Sequence, residues 1–252
     1  MAGRIAALYR HPIKGFTPQR IDAAFLDVGR AFPGDRLWAV ENGPSGFDPL
    51  HPAHISKSRF TVLARIPEVA LARTAYDVDT GELVAQAPGL PEFRGRLAED
   101  WGKMAFAAWL EVLLRDEASG PLKVLDGAGH RFLDDPQGHV SIINLASVRD
   151  FEAKLGQPID PLRFRANLYV EGWLPWEEND WIGRKMALGN VRADVVDTIT
   201  RCAAPDVDPK SAQRDIEVTR RLHEFYGHLL CGIYVQVSAP GRIAEGDEAR
   251  LL

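Results

Sequence analysis

The chain has 252 residues, 46% hydrophobic and 26% charged, an ordinary balance for one large globular domain or two small ones. Its net charge of −5 gives no electrostatic case for binding nucleic acid or an anionic membrane. Two cysteines are too few for a disulfide scaffold or a zinc ribbon. Arg4 and Arg10 bracket only a short apolar segment, and no window approaches the roughly 18–20 apolar residues of a membrane span, so a cytoplasmic enzyme or binding protein is expected.

Arg4 to Tyr9 alternates and predicts a strand that ends at His11-Pro12. Ile13-Lys14-Gly15-Phe16-Thr17-Pro18 is a turn whose main cation is Lys14. A partner strand is predicted over Arg20 to Val28, and a third at Leu37 to Val40 after the turn Gly34-Asp35-Arg36. Lys14 and Arg36 thus sit at strand ends, where surface solvation is the simplest role for either taken alone. In the Gly/Pro loop 42–52 and just beyond it, His51 and His54 lack a third metal ligand. A short helix is predicted over Ser56 to Ala64, and a hairpin over Val69 to Ala75 and Leu83 to Gln86. Lys103 to Arg115 predicts an amphipathic helix that turns Met104, Ala107, Ala108, Leu110 and Leu114 toward the core. A seam at Ser119-Gly120-Pro121 divides the chain into lobes 1–119 and 120–252, with interleaving of the two left open.

Leu122 to Leu125 is a short strand, followed by a loop in which Asp134-Asp135-Pro136 reads as a solvated turn sooner than a carboxylate metal site. Val140 to Leu145 predicts a buried strand, and Ala146 to Leu155 a helix stopped by Gly156. Asp160 to Val170 alternates strictly, which on a strand places Arg163, Arg165 and Asn167 on one face. That face is either the outer side of a sheet or the lining of an anion pocket. The aromatic and acidic run Trp173 to Trp181 suits either a rim loop or packing on its own domain. Strands are predicted at Lys185 to Leu188 and Val191 to Thr200, a helix at Ile216 to Tyr226, and a closing hairpin from Leu230 to Val237 and Arg242 to Arg250. Many strands and few helices predict a mainly β, barrel-like (α+β) fold.

The strand ending at Thr200 stops at Arg201-Cys202 and breaks into a Pro/Asp loop. A thiol at a strand mouth beside a guanidinium is favoured as thiolate, the form that attacks electrophiles or binds soft metals. The alternative is a small, unreactive core residue, which is the reading taken for Cys231 in its apolar run.

Taken together, Leu8-Tyr9-Arg10-His11-Pro12-Ile13-Lys14-Gly15, Asp35-Arg36-Leu37-Trp38, Ser141 to Val148, Arg163-Phe164-Arg165-Ala166-Asn167-Leu168, Glu178-Asn179-Asp180-Trp181, Thr200-Arg201-Cys202 with Val207-Asp208-Pro209, Gly232-Ile233-Tyr234 and Gly246-Asp247 form an ordered set. In this order and spacing the chain resembles the MOSC family (molybdenum cofactor sulfurase C-terminal domain), preceded by its small N-terminal β-barrel domain. The nearest pattern is that of bacterial and mitochondrial amidoxime-reducing proteins. The resemblance implies a MOSC β-barrel domain with a smaller N-terminal β-barrel-like lobe. It further implies a molybdenum cofactor (molybdopterin) between the lobes, with Cys202 as the molybdenum ligand and catalytic centre. Lys14, Arg36, Arg163 and Arg165 would grip the pterin phosphate and ring edges, and Asn167, Thr200 and Arg201 would close the pocket. Departures from the family pattern are Gly15, where many relatives carry Ser, and Ala203-Ala204-Pro205-Asp206, where adjacent threonines are usual.

The implied activity is reduction of small N-hydroxylated compounds, with electrons from a separate flavin or iron–sulfur protein. This expectation follows because no cluster of four cysteines lies in the chain. The alternative reading is a cofactor or sulfur carrier that holds a persulfide on Cys202 without turnover. A third is a binding module that has kept the barrel and lost the metal.

Overall fold

The computed structural model describes residues 2–252. Its first half contains β1 (Ala2–Arg10), β2 (Gln19–Ile21), β3 (Ala23–Leu26), β4 (Trp38–Asn42), β5 (Arg73–Tyr76), β6 (Glu82–Gln86), β7 (Phe93–Arg96) and helix α1 (Asp100–Leu114). The second half runs through β8 (Leu122–Asp126), β9 (Val140–Asn144), helix α2 (Leu145–Leu155), β10 (Leu168–Glu171), β11 (Lys185–Leu188) and β12 (Val191–Thr200). It ends with helix α3 (Val218–Tyr226), β13 (Leu230–Ala239), β14 (Gly241–Ala244) and β15 (Glu248–Leu251).

Seven strands close into a barrel in the order β1, β10, β9, β13, β12, β11, β15 and back to β1. Alternate residues point inward, so Ile5, Leu8, Ile142, Val170, Met186, Leu188, Val195 and Ile233 fill one core. Burying each such side chain contributes about 1.5–3 kcal/mol relative to exposure. The strand that seals this barrel, β1, comes from the opposite end of the chain. Its register with β10 (Leu8 opposite Leu168) and with β15 (Gly3 opposite Ala249) leaves no free edge between them.

A second core surrounds Ile13, Phe16, Trp38, Leu83, Phe106 and Leu110 and is covered by α1, the β5–β6–β7 sheet and the β4–β8 ribbon. Val207, five residues past Cys202, is buried in this second core, which ties the segment after the cysteine to the first half of the chain. The mainly β reading with three helices and a barrel is what the structure has.

Several local expectations are corrected. The strand predicted over Asp160 to Val170 exists only from Leu168. Before it, Pro161–Phe164 is a 3-10 turn capped by the Asp160 side chain, and Arg165 adopts a left-handed conformation with φ 52°. Asp160-Pro161 favours that capped turn, and its geometry overrides the alternation. The partner strand predicted over Arg20 to Val28 splits at Asp22, so that β2 pairs with β1 while β3 pairs with β14. The closing hairpin is therefore not made, because β14 leaves the barrel to meet β3 and only β15 returns. The helix predicted at Ser56 to Ala64 shrinks to one 3-10 turn, Lys57–Arg59. Helix α1 is rotated from its expected setting: Ala107, Leu110 and Leu114 are buried, but Met104 is 72% exposed and Ala108 is also outside.

Candidate functional site

Strand β12 carries register shifts between Val195 and Asp197 and again between Thr198 and Thr200. Such bulges bend a strand and re-aim its end. Arg201 then donates its backbone N–H to Leu229 O (2.9 Å), and Cys202 emerges half-buried into a cleft of about 150 Å³ between the barrel and the second core. Arg36, Lys57, Arg165 and Ser141 line the same cleft, and an adjoining recess extends it to Lys14 and Gly15. Both halves of the chain therefore supply its walls.

The cations predicted for the site are all brought to the cleft, yet they differ in what they already hold. Arg163, 5% exposed, donates two hydrogen bonds to the Asp215 carboxylate (2.8 and 2.7 Å) and others to the Pro205 and Asp206 carbonyls (3.2 and 3.3 Å). It braces the loop after Cys202. Arg201 donates to the carbonyls of Cys231 and Phe164 (2.8 Å each) and lies over the Phe164 ring. That arrangement requires Gly232, whose φ is +90°; a Cβ there would come 2.4 Å from Ile142 O and 3.2 Å from the Arg201 guanidinium.

Lys14 is buried, donates to Phe132 O (2.8 Å) and pairs with Asp134. Burial pushes its pKa down, against the opposing pull of Asp134. Arg36, in a left-handed conformation (φ 45°), pairs with Asp35 and donates to Arg165 O (3.3 Å). Asn167 is fully engaged inside: its carbonyl oxygen accepts from Ser141 N and Oγ (3.2 and 2.9 Å), and its amide donates to Tyr9 O and Asp35 (3.3 and 3.2 Å). Thr200 is exposed at the cleft mouth.

Arg165 is the exception. Among the described residues its guanidinium has no ion-pair partner, and its Nη2 is buried with no hydrogen-bond partner. Burial, with the nearby Arg36 charge, draws its pKa down to about 10. A cation held in this way is preorganised for an anion that the protein itself does not provide.

Three groups that sequence reasoning did not place in the site are important to it. Asp35, fully buried, accepts from His11 N (2.6 Å) and from Asn167, lies 3.3 Å from His11 Nδ1 and pairs with Arg36. Burial alone would raise its pKa, but the Arg36 charge and the His11 contact outweigh that and hold it below the usual carboxylate range. Lys57, near the start of the segment read as a helix, is raised in pKa: burial alone would lower it, but Asp134 and Cys202 outweigh that. Finally, the Asp134-Asp135 pair is part-solvated and holds two basic side chains: Asp134, half exposed, takes Lys14, and Asp135 takes His139 Nδ1 at 2.9 Å. The signal available for Asp35 was its place directly before Arg36; nothing local marked Lys57.

Trp173 and Trp181 pack edge to face (4.7 Å) in the barrel core, and Trp176 packs on Tyr226, so this loop covers its own domain and is no rim to the cleft. Cys231 is buried, with its thiol pushed up to about 12 by desolvation. His51 and His54 are exposed.

The donor set fits an anionic group with a soft metal. One thiol faces the cleft, cations surround it, and two guanidinium nitrogens, Arg165 Nη2 and Arg163 Nε, are buried without a partner. Among the described residues no three His, Cys, Asp or Glu side chains are grouped to hold a metal ion, so a metal at Cys202 would take its remaining ligands from a non-protein group. Gly15, where the family pattern often has Ser, has φ +91° and its Cβ position lies 2.5 Å from Thr61 O, so this backbone is built for glycine.

Comparison with known proteins agrees with this architecture. The family model described as "MOSC N-terminal beta barrel domain" matches residues 2–118, and that described as "MOSC domain" matches residues 129–250. A protein named molybdenum cofactor sulfurase from Anopheles gambiae is 30% identical over 57% of this chain, and one from Caenorhabditis briggsae 28% over 56%. The chain covers 20% of each of these curated relatives. Mitochondrial amidoxime reducing component 2 of Bos taurus is 22% identical across 97% of this chain and 82% of its own. The crystal structure of YUAD protein from Bacillus subtilis aligns over 99% of this chain and 94% of its own, at 17% identity and a TM-score of 0.45. The two matched domains together account for nearly the whole chain, and the protein belongs to the MOSC family.

Proposed function

We propose that the protein binds the molybdenum cofactor in the cleft at Cys202 and reduces small N-hydroxylated compounds with electrons from a separate flavin or iron–sulfur protein. The observation that carries this reading is the unpartnered Arg165 guanidinium in the same cleft as the half-buried Cys202 sulfur. Bound there, the cofactor would supply oxygen-atom and two-electron chemistry. Cys202 would be the protein's ligand to the metal, and Arg165 would bind the anionic end of the pterin. Arg36 and Asn167, oriented by buried Asp35, fix the cleft wall, and Arg163 and Arg201 hold the loops on either side of it. Asp135 engages His139 Nδ1 and so fixes the orientation of that ring in the cleft wall.

The test is the molybdenum and pterin content of protein made in cofactor-competent cells. Wild type is expected to carry both, Cys202→Ala to lose molybdenum, and Arg165→Ala to lose pterin. Equal and negligible molybdenum in wild type and Cys202→Ala counts decisively against the reading.

A sulfur-carrier reading is favoured by one feature, the presence of the Lys57 ammonium in the same cleft wall as Cys202, which also suits a persulfide. Relatives named molybdenum cofactor sulfurase point the same way. Non-reducing intact-mass spectrometry separates the two: an adduct of about +32 Da on Cys202 without pterin is the carrier's signature.

A further inference from the structure

Helix α1 is apolar nearly all the way round, a composition that belongs to helices covered on every side. Its inner face packs through Phe106, Leu110 and Leu114 into the second core. Its outer face carries Trp101, Met104, Ala108 and Val112, with Ala105 half-buried between them. Trp101 is 66% exposed, Met104 72% and Val112 58%, which makes this, among the described residues, the one helix face that gathers three exposed large apolar side chains. The stripe runs about 17 Å along the helix. Contiguous apolar patches on an otherwise polar surface mark contacts.

We infer that this face pairs with the same face of a second copy of the chain, antiparallel about a two-fold axis between Phe106 and Ala107. Three features of α1 select that occupant. First, its sizes are self-complementary, with the bulky residues in the first half, alanines at the middle and a small branched residue at the end. Antiparallel pairing sets Trp101 against Val112 of the second copy and Ala105 against Ala108, where the alanines let the two backbones approach and Met104 packs beside them. Second, the flanking charges match. Asp100 stands exposed at the start of the stripe, held within its own helix by Lys103 (2.9 Å), and Arg115 stands at its end with no ion-pair partner among the described residues. The pairing brings Arg115 beside Asp100 of the second copy on both sides of the axis. Third, residues 99–117 hold five acidic and two basic side chains, which repels an anionic lipid surface.

A single helix pair buries less than the roughly 1,200–2,000 Å² of a stable interface, so the dimer is weak and depends on concentration. Sedimentation equilibrium of the full chain over a micromolar range tests it. The weight-average mass is expected to climb from 27.9 kDa toward twice that value. Met104→Glu, at an exposed position that leaves the core untouched, is expected to hold it at one chain; Leu174→Glu, at an exposed apolar residue elsewhere, leaves the climb intact. Asp100→Arg and Arg115→Asp should each weaken association, and together restore it. A wild type that stays at one chain overturns the inference, as does a dimer indifferent to Met104→Glu. Failure of the double charge swap to restore association overturns the antiparallel register.

Discussion

At position 165 a guanidinium stands in the cleft without a partner, while two residues earlier another is held on both terminal nitrogens by Asp215. These two arginines were read from the same alternating run as equivalent, and their expected responses to substitution now differ. Arg163→Ala should lower stability by about 1–3 kcal/mol, discounted because Asp215 is partly exposed, and should show as a lower midpoint in urea. Arg165→Ala should leave the urea midpoint within about 0.5 kcal/mol and act on cofactor content alone. His11 offers a test by pH. Burial, with the Arg36 charge next, lowers its pKa to about 3, against 6.5 unperturbed. The unfolded chain therefore takes up a proton between pH 6.5 and 3 that the folded chain refuses. Stability falls as pH drops through that window, by up to about 1.4 kcal/mol per unit. His11→Asn is expected to flatten this acid limb in pH-dependent unfolding; an unchanged slope would show that His11 does not cause it.

Among the elements, β12 and β13 position the cysteine. Their pairing slips three times on the way to Thr200, and the partner strand needs glycine at 232 so that Arg201 can fold against the Cys231 carbonyl. Gly232→Ala combines a positive φ with a backbone clash, and is expected to destabilise by about 1–3 kcal/mol and to increase the reactivity of Cys202 toward alkylating reagents as its loop loosens. Most strands, and the ends of α2 and α3 at Gly156 and Gly227, were legible in the sequence because period-two alternation and left-handed glycine stops are local signals. The exceptions are segments where one local signal opposed another. At 160–165 a capped proline turn overrode alternation. On α1 apolar residues on both faces left the buried one undetermined, and only contact with Phe16 and Phe93 placed Phe106 inward.

For the molecule as a whole, the barrel is shared between the ends of the chain. A chain starting at Gly120 would lack β1 and leave β10 and β15 as open edges. It is expected to aggregate on expression, which solubility and circular dichroism of the fragment will check. With NADH alone the intact protein is expected to show no turnover of N-hydroxylated compounds; activity without an added redox protein would refute the need for a separate donor. The residue types of the cleft, a thiol at a strand end and cations spread from Lys14 to Arg201, could be recognised from the chain because chemistry and short-range order are written locally. Which cations remain free for a ligand was settled only in three dimensions. Asp35, Asp134 and Asp215 reach their basic partners across the molecule or beside them, and no spacing in the sequence reports which carboxylate a folded chain brings within hydrogen-bonding distance of which arginine or lysine.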